Sequence, residues 1–161
     1  MMKRIAYFGA GCFWGVEMFL NQQPGVIDTE VGYMGGNEKD FPSPSYEQVC
    51  TDMTGYAETV KIIYDPSVIS YEKLVEQFFR CHDSTQKDMQ GPDIGSQYRS
   101  VIFYSNDEEL KTSKKVIKRE QLKLGVKKKI ETTLEKAKTF FKAEEYHQKY
   151  WKTHDVYCHV R

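Results

Sequence analysis

The sequence predicts an α+β fold, a ferredoxin-like split-βαβ sandwich in which helices pack on a mixed sheet. Short apolar runs that read as strands alternate with amphipathic segments that read as helices. Their order is β-α-β, loop, β-α-β, then α-β and a final helix. Two stretches, 33–57 and 82–97, carry no clear period, and loops of that length are uncommon unless functional. At 161 residues with 40% hydrophobic content, the chain suits a single domain, 1–161, with a real core.

Each element has a local reason. Lys3 to Phe8 is a short apolar run ending at Gly9, a buried strand. Phe13, Val16, Phe19 and Leu20 then fall on one helical face, and Pro24-Gly25 ends that helix. Val26 to Tyr33 reads as a second strand, stopped by Gly35-Gly36. Thr59 to Tyr64 is a third, closed by Asp65-Pro66. Ser70 caps a helix over Tyr71 to Cys81 that turns Leu74, Val75, Phe78 and Phe79 to the core. Tyr98 to Tyr104 is a strand. Ser105 and Glu108 form a capping-box pattern for a helix to about Leu122. Val126, Ile130, Thr132 and Leu134 alternate with polar residues, as in a half-exposed strand. Ala143 to Trp151 reads as a last helix, followed by a tail.

Charge excludes some functions. Basic and acidic residues balance at 23 each, so no global field favours nucleic acid or an anionic membrane. The lysines between Lys111 and Lys129 read as a solvated helix face and a guarded edge strand. No apolar run reaches the ~18 residues of a membrane helix, and MMKRIAYFGAG is too soon interrupted for a signal peptide. A cytoplasmic monomer is the expectation. Cys12, Cys50, Cys81 and Cys158 are scattered without a CxxC pair, which argues against a zinc ribbon or a thioredoxin-type motif. His147, His154, Cys158 and His159 fit no common metal spacing and read as tail; no metal and no organic cofactor are expected.

The stretch GAGCFWGVE (Gly9 to Glu17) is the sharpest feature. If Cys12 opens a helix, the free N–H groups of its first turn and the helix dipole favour the thiolate and lower the pKa. A free cysteine is equally often a small hydrophobe packed under a sheet, and position alone leaves both readings open. Phe13 and Trp14 follow directly. Consecutive helical positions cannot both face the core fully, so at least one is expected to line a pocket beside the sulfur.

GCFWG followed by VE resembles the signature of the A-class peptide methionine sulfoxide reductases. VGYMGG (Val31 to Gly36), PSY (Pro44 to Tyr46), TGYAETVKIIYDP (Thr54 to Pro66) and QGPDIGSQYRS (Gln90 to Ser100) resemble further motifs of that family in the same order. Tyr56 stands where the family usually has His, and Pro92 where it usually has Asn. The resemblance spans about Arg4 to Cys158. It implies that Cys12 attacks the sulfoxide sulfur of methionine sulfoxide, with preference for the S epimer. It implies that Glu58 supplies a proton, which requires a pKa above the ~4.3 of free Glu; burial beside Tyr56 and Ala57 would raise it. Tyr46 and Tyr98 match hydroxyl donors to the substrate oxygen. Asp93 matches a residue that helps hold the site. Phe13 and Trp14 match the residues that hold the methyl group.

The same resemblance implies a Cys12 sulfenic acid that condenses with a second thiol. Cys158 is the candidate, with thioredoxin reducing the disulfide. Some relatives carry a second recycling cysteine in a longer tail; this chain is expected to work without one. Cys50 and Cys81 read as partly buried bystanders. The rival readings are a cysteine acyl-transfer hydrolase, which would want a histidine base such as His82, a peroxidase-like thiol sensor, and a non-catalytic module that uses the lysine face.

Overall fold

The computed structural model describes residues 2–156. The chain runs β1 (Arg4–Ala10), α1 (Phe13–Asn21), β2 (Val26–Met34), α2 (Tyr46–Cys50), β3 (Ala57–Tyr64), α3 (Tyr71–Arg80), β4 (Met89–Gln90), β5 (Asp93–Ile94), β6 (Ser100–Tyr104), α4 (Asp107–Leu124), β7 (Thr133–Lys136) and β8 (Phe141–Lys142). The main sheet has the order β7-β6-β1-β3-β2-β8. Its four inner strands, β6-β1-β3-β2, are antiparallel and joined through α1 and α3. This is the split-βαβ arrangement expected from the sequence. β7 adds in parallel to β6 and β8 antiparallel to β2, so the sheet is mixed.

The period of two along the central strands explains the two faces. Ala6, Phe8 and Ala10 of β1 sit beside Val60, Ile62 and Tyr64 of β3 and meet the apolar stripes of the helices: Phe13, Val16 and Leu20 of α1, and Leu74, Val75 and Phe78 of α3. Burying one such aromatic or leucine stabilises the fold by about 1.5–3 kcal/mol. Met34, Ala57, Val101 and Phe103 form a smaller cluster, against which Tyr7 and Phe140 pack. α4 is tied to α3 by ion pairs of Lys115 with Glu72 (2.9 Å) and Arg119 with Glu76 (2.6 Å). Among the described residues no helix is long and apolar enough to cross a membrane.

The structure corrects several sequence expectations. The last helix is absent: 143–152 holds two isolated 3₁₀ turns, Glu145–His147 and Tyr150–Lys152. Lys149 between them is left-handed, at φ 51°. The segment finds several of its polar partners outside itself. The Gln148 amide donates to the Val31 and Ala143 carbonyls and accepts the Val31 N–H. Tertiary partners thus override local helical propensity. Strand β7 begins only at Thr133, and 126–132 is coil pinned by Gln121, which donates to Lys128 O (2.8 Å) and accepts from Ile130 N–H (2.9 Å). The cap of α4 is Asn106 rather than Ser105, its side chain accepting the Glu109 N–H at 2.9 Å. Tyr98 belongs to a 3₁₀ turn, Ser96–Tyr98, that precedes β6. The stretch read as loop from 33 to 57 contains α2, which has a true capping box between Ser45 and Gln48.

Candidate active site

Strand β1 delivers the chain to Gly11, whose φ of +99° only glycine adopts readily. A Cβ there would lie 2.8 Å from the Gln90 side chain. Cys12 follows as the N-cap of α1, half-buried, its carbonyl accepting the Val16 N–H at 3.4 Å. The amides of Trp14 and Gly15 address the thiol and lower its pKa, as the helix start predicts. They do not prevail. Burial first, then the negative charges of Glu58 and Asp93, push the thiol up to about 12. The expectation of a lowered resting pKa is therefore corrected: at neutral pH Cys12 is a thiol.

Glu58 lies on β3 opposite Tyr33, on the helix-bearing face, and is 1% exposed. Its Oε1 accepts the Phe13 N–H at 3.2 Å and its Oε2 accepts from Gln97 Nε2 at 3.0 Å. Desolvation pushes the carboxyl up to about 7 and Asp93 adds to the rise, while the two donors hold it down. A carboxyl that titrates near neutrality thus adjoins the residue after Cys12.

The flanking groups come from the two long stretches. Tyr46 opens α2, and its N–H donates to Glu144 Oε2 at 3.0 Å. Tyr98 closes the 3₁₀ turn. Burial first, and then the charge of Glu58, hold both phenols protonated well above the ordinary tyrosine range. Asp93 sits on β5 and raises Cys12, Glu58 and Tyr98 together. Cys12, Glu58, Tyr46, Tyr98 and Asp93 are thus gathered into one electrostatically linked group.

Beside the thiol is a cavity of about 440 Å³, whose lining includes Cys12, Trp14, Asp93, Tyr150, Asp155 and Val156. Trp14 is fixed there. Its indole N–H donates to His147 Nδ1 at 2.9 Å, and Tyr150 stacks on its ring at 3.9 Å and 9°. His147 is buried and held below its usual pKa, hence neutral. Phe13 is 1% exposed and packs between Tyr33 (5.8 Å) and His147 (5.2 Å). Of the two aromatics, Trp14 alone lines this cavity.

The other two described cysteines differ in burial from the sequence expectation that both are partly buried. Cys50 is exposed and adjoins the cluster: Gln97 Nε2 donates to its sulfur at 3.6 Å, and its charge helps raise Tyr46. Cys81 is buried but contributes to the wall of the cavity. Cys158 and His159 lie outside the described residues. Among the described residues no group of three His, Cys, Asp or Glu is placed to hold a metal. His82, the base required by an acyl-transfer mechanism, bonds Ser100 Oγ at 2.7 Å and the Phe78 carbonyl at 2.8 Å.

Sequence reasoning missed Gln97, His147, Tyr150, Tyr33 and Glu144. Glu144 accepts from the Tyr33 hydroxyl at 3.0 Å as well as from Tyr46. Only Gln97 carried a local signal, its place beside Tyr98 in GSQYRS.

A family model described as peptide methionine sulfoxide reductase matches residues 4–161. A peptide methionine sulfoxide reductase MsrA of Methanosarcina acetivorans is 50% identical over 147 residues, covering 91% of this chain and 76% of that protein. The structure of Mxr1 from Saccharomyces cerevisiae in reduced form superposes with a TM-score of 0.91 at 40% identity, covering 99% of this chain and 92% of the other. Mxr1 in complex with Trx2 superposes with a TM-score of 0.65 at 27% identity, over 99% and 90% of the two chains.

Proposed function

The chain belongs to the peptide methionine sulfoxide reductase family, and from that premise we propose that it reduces methionine sulfoxide through Cys12 with Glu58 as proton relay. The observation that carries this reading is the buried Glu58 carboxyl, poised at about 7 and bonded to the N–H of Phe13, next to the thiol. A sulfoxide has an electrophilic sulfur and an oxygen that leaves only when protonated. The site offers a soft nucleophile and a proton donor side by side.

The productive state holds one proton shared by Cys12 and Glu58. As the Cys12 sulfur bonds to the sulfoxide sulfur, the thiol proton passes to the Glu58 carboxylate and from it to the oxygen. The hydroxyl then moves to Cys12 as the new S–S bond breaks. Methionine leaves, Cys12 is oxidised to sulfenic acid, and no proton is gained or lost overall. Tyr46 and Tyr98, held protonated, donate to the oxygen, and Trp14 supplies the apolar wall for the methyl group. Asp93 holds the site together by its charge. The sulfenic acid condenses with the Cys158 thiol, releasing water. A thioredoxin dithiol reduces the disulfide by exchange, a step supported by the complex of the relative Mxr1 with Trx2. The substrates are oxidised proteins and peptides.

The raised thiol disfavours the peroxide-sensor reading, because a sensor needs a resting thiolate. To test the proposal, each epimer of a blocked methionine sulfoxide is incubated with the protein and dithiothreitol. Turnover of the S epimer alone, lost in Cys12→Ser, is expected. Turnover of the R epimer instead overturns the assignment. With thioredoxin as reductant, Cys158→Ser gives a single turnover per enzyme; undiminished cycling removes Cys158 from the resolving role.

A further inference from the structure

We propose that Gln97 is a positioning residue for the reduction step: its side-chain amide, braced on Cys50, fixes the Glu58 carboxyl so that its proton faces the substrate. This rests on the reading of Glu58 as relay.

Gln97 is 3% exposed and lies in the 3₁₀ turn Ser96–Tyr98. Its Nε2 carries two hydrogens. It lies 3.0 Å from Glu58 Oε2 and 3.6 Å from Cys50 Sγ. With the Phe13 N–H on Oε1 at 3.2 Å, each carboxyl oxygen has one fixed donor. A carboxyl held at both oxygens cannot rotate without breaking a bond. The lone pairs left over are the only seats for its proton.

The turn that carries Gln97 is itself clamped. Ser96 donates its N–H to Asp52 Oδ1 at 3.0 Å, and its hydroxyl also donates to Asp52. Arg99 Nη1 donates to the carbonyls of Ser96 and Gly55, both at 3.0 Å, while its Nε donates to Glu135 at 3.0 Å. The anchor residues thus lie on the loops 52–55 and β7, outside the reacting group. The same three-residue turn sets Tyr98 and the Glu58 carboxyl, so the hydroxyl donor and the acid move as one body.

Among the described residues, the titratable groups that interact electrostatically with Glu58 are Cys12 at the N-cap of α1, Asp93 on β5, Tyr33 on β2, Tyr46 on α2, and Tyr98 in the turn. All are acids. The neutral amides of Gln97 and Phe13 are therefore what offsets burial for the ionised carboxylate.

The test measures the first half-reaction against pH under limiting substrate, which reports the free-enzyme groups. Gln97→Met keeps the length and removes the donor. The rate at neutral pH should fall about tenfold, and the limb governed by Glu58 should move up by about one pH unit, as expected for loss of one donor to a carboxylate. Gln97→Asn, which keeps the amide on a stem too short to span both partners, should shift the limb in the same direction. In a Glu58→Gln background, Gln97→Met should change the rate less than about twofold, because its effect passes through Glu58. An unmoved limb in both variants, or a full tenfold effect without Glu58, overturns the positioning role. If Glu58→Gln alone reacts at the wild-type rate, the reading of Glu58 falls instead.

Discussion

Glu58→Gln should stabilise the protein relative to wild type as pH rises, even as it slows the chemistry. In the folded protein burial raises the carboxyl from its ordinary 4.5 to about 7. The native state therefore binds this proton more tightly than the unfolded chain does. Stability from the neutral carboxyl is fully present below about 4.5 and is lost as pH climbs through about 7. That rise, at about 1.4 kcal/mol per pH unit, amounts to about 3 kcal/mol. The variant has no such proton. Its amide oxygen can still accept from Phe13 or Gln97 but not from both, an offset that does not change with pH. Urea unfolding of both proteins at about pH 4.5 and about pH 8.5 isolates the effect. The difference between them should move by about 3 kcal/mol in favour of the variant at the higher pH. A gap that moves by less than about 1 kcal/mol, or in the opposite direction, refutes the assignment of a desolvated carboxyl.

Further outcomes follow from other parts of the molecule. Because the Cys12 thiol is pushed up to about 12, iodoacetamide at neutral pH should label exposed Cys50 well before Cys12; mass mapping that finds Cys12 first contradicts it. The kcat/KM for the sulfoxide should rise with pH through about 7, where the first of two protons leaves the Cys12–Glu58 pair and one remains, and a flat profile there removes Glu58 from the relay. Glu17 is fully buried, accepts from Thr29 Oγ1 at 2.8 Å and from the Lys149 N–H at 2.9 Å, and pairs with the Lys149 ammonium at 3.4 Å. Glu17→Ala should cost about 3–5 kcal/mol and loosen the segment that holds His147 and Tyr150, seen as a lower urea midpoint and faster amide exchange there. Gly11→Ala meets both a positive φ and the Gln90 side chain, and should destabilise by at least about 1 kcal/mol.

Much of the fold was legible because its signals are local. The strand run Thr59 to Tyr64, closed by Asp65-Pro66, and the apolar stripe of Tyr71 to Cys81 are read from neighbouring residues alone, and those elements appear close to where the residues put them. The failures share one cause. Ala143 to Trp151 has helical composition, but Gln148, Lys149 and Glu144 find their partners on β2, α1 and α2, more than ninety residues away in sequence. Such bonds leave no local trace. α2 was hidden for a different reason: at five residues it is too short to show a helical period.

By itself the sequence placed Cys12 at a helix start, and the resemblance it carries pointed to Glu58, Tyr46, Tyr98 and Asp93, which the fold gathers near it. Glycines on either side of Cys12, with Phe13 and Trp14 behind it, are a local arrangement that a chain can display in one dimension. Tertiary structure decided protonation. The helix amides pull the thiol toward its anion, yet burial and the neighbouring carboxylates push it to about 12. Burial likewise lifts Glu58 to about 7. Only the fold sets how much water and how many like charges surround each group. Desolvation and distance fix a pKa, and neither is a property of the residue or of its neighbours along the chain.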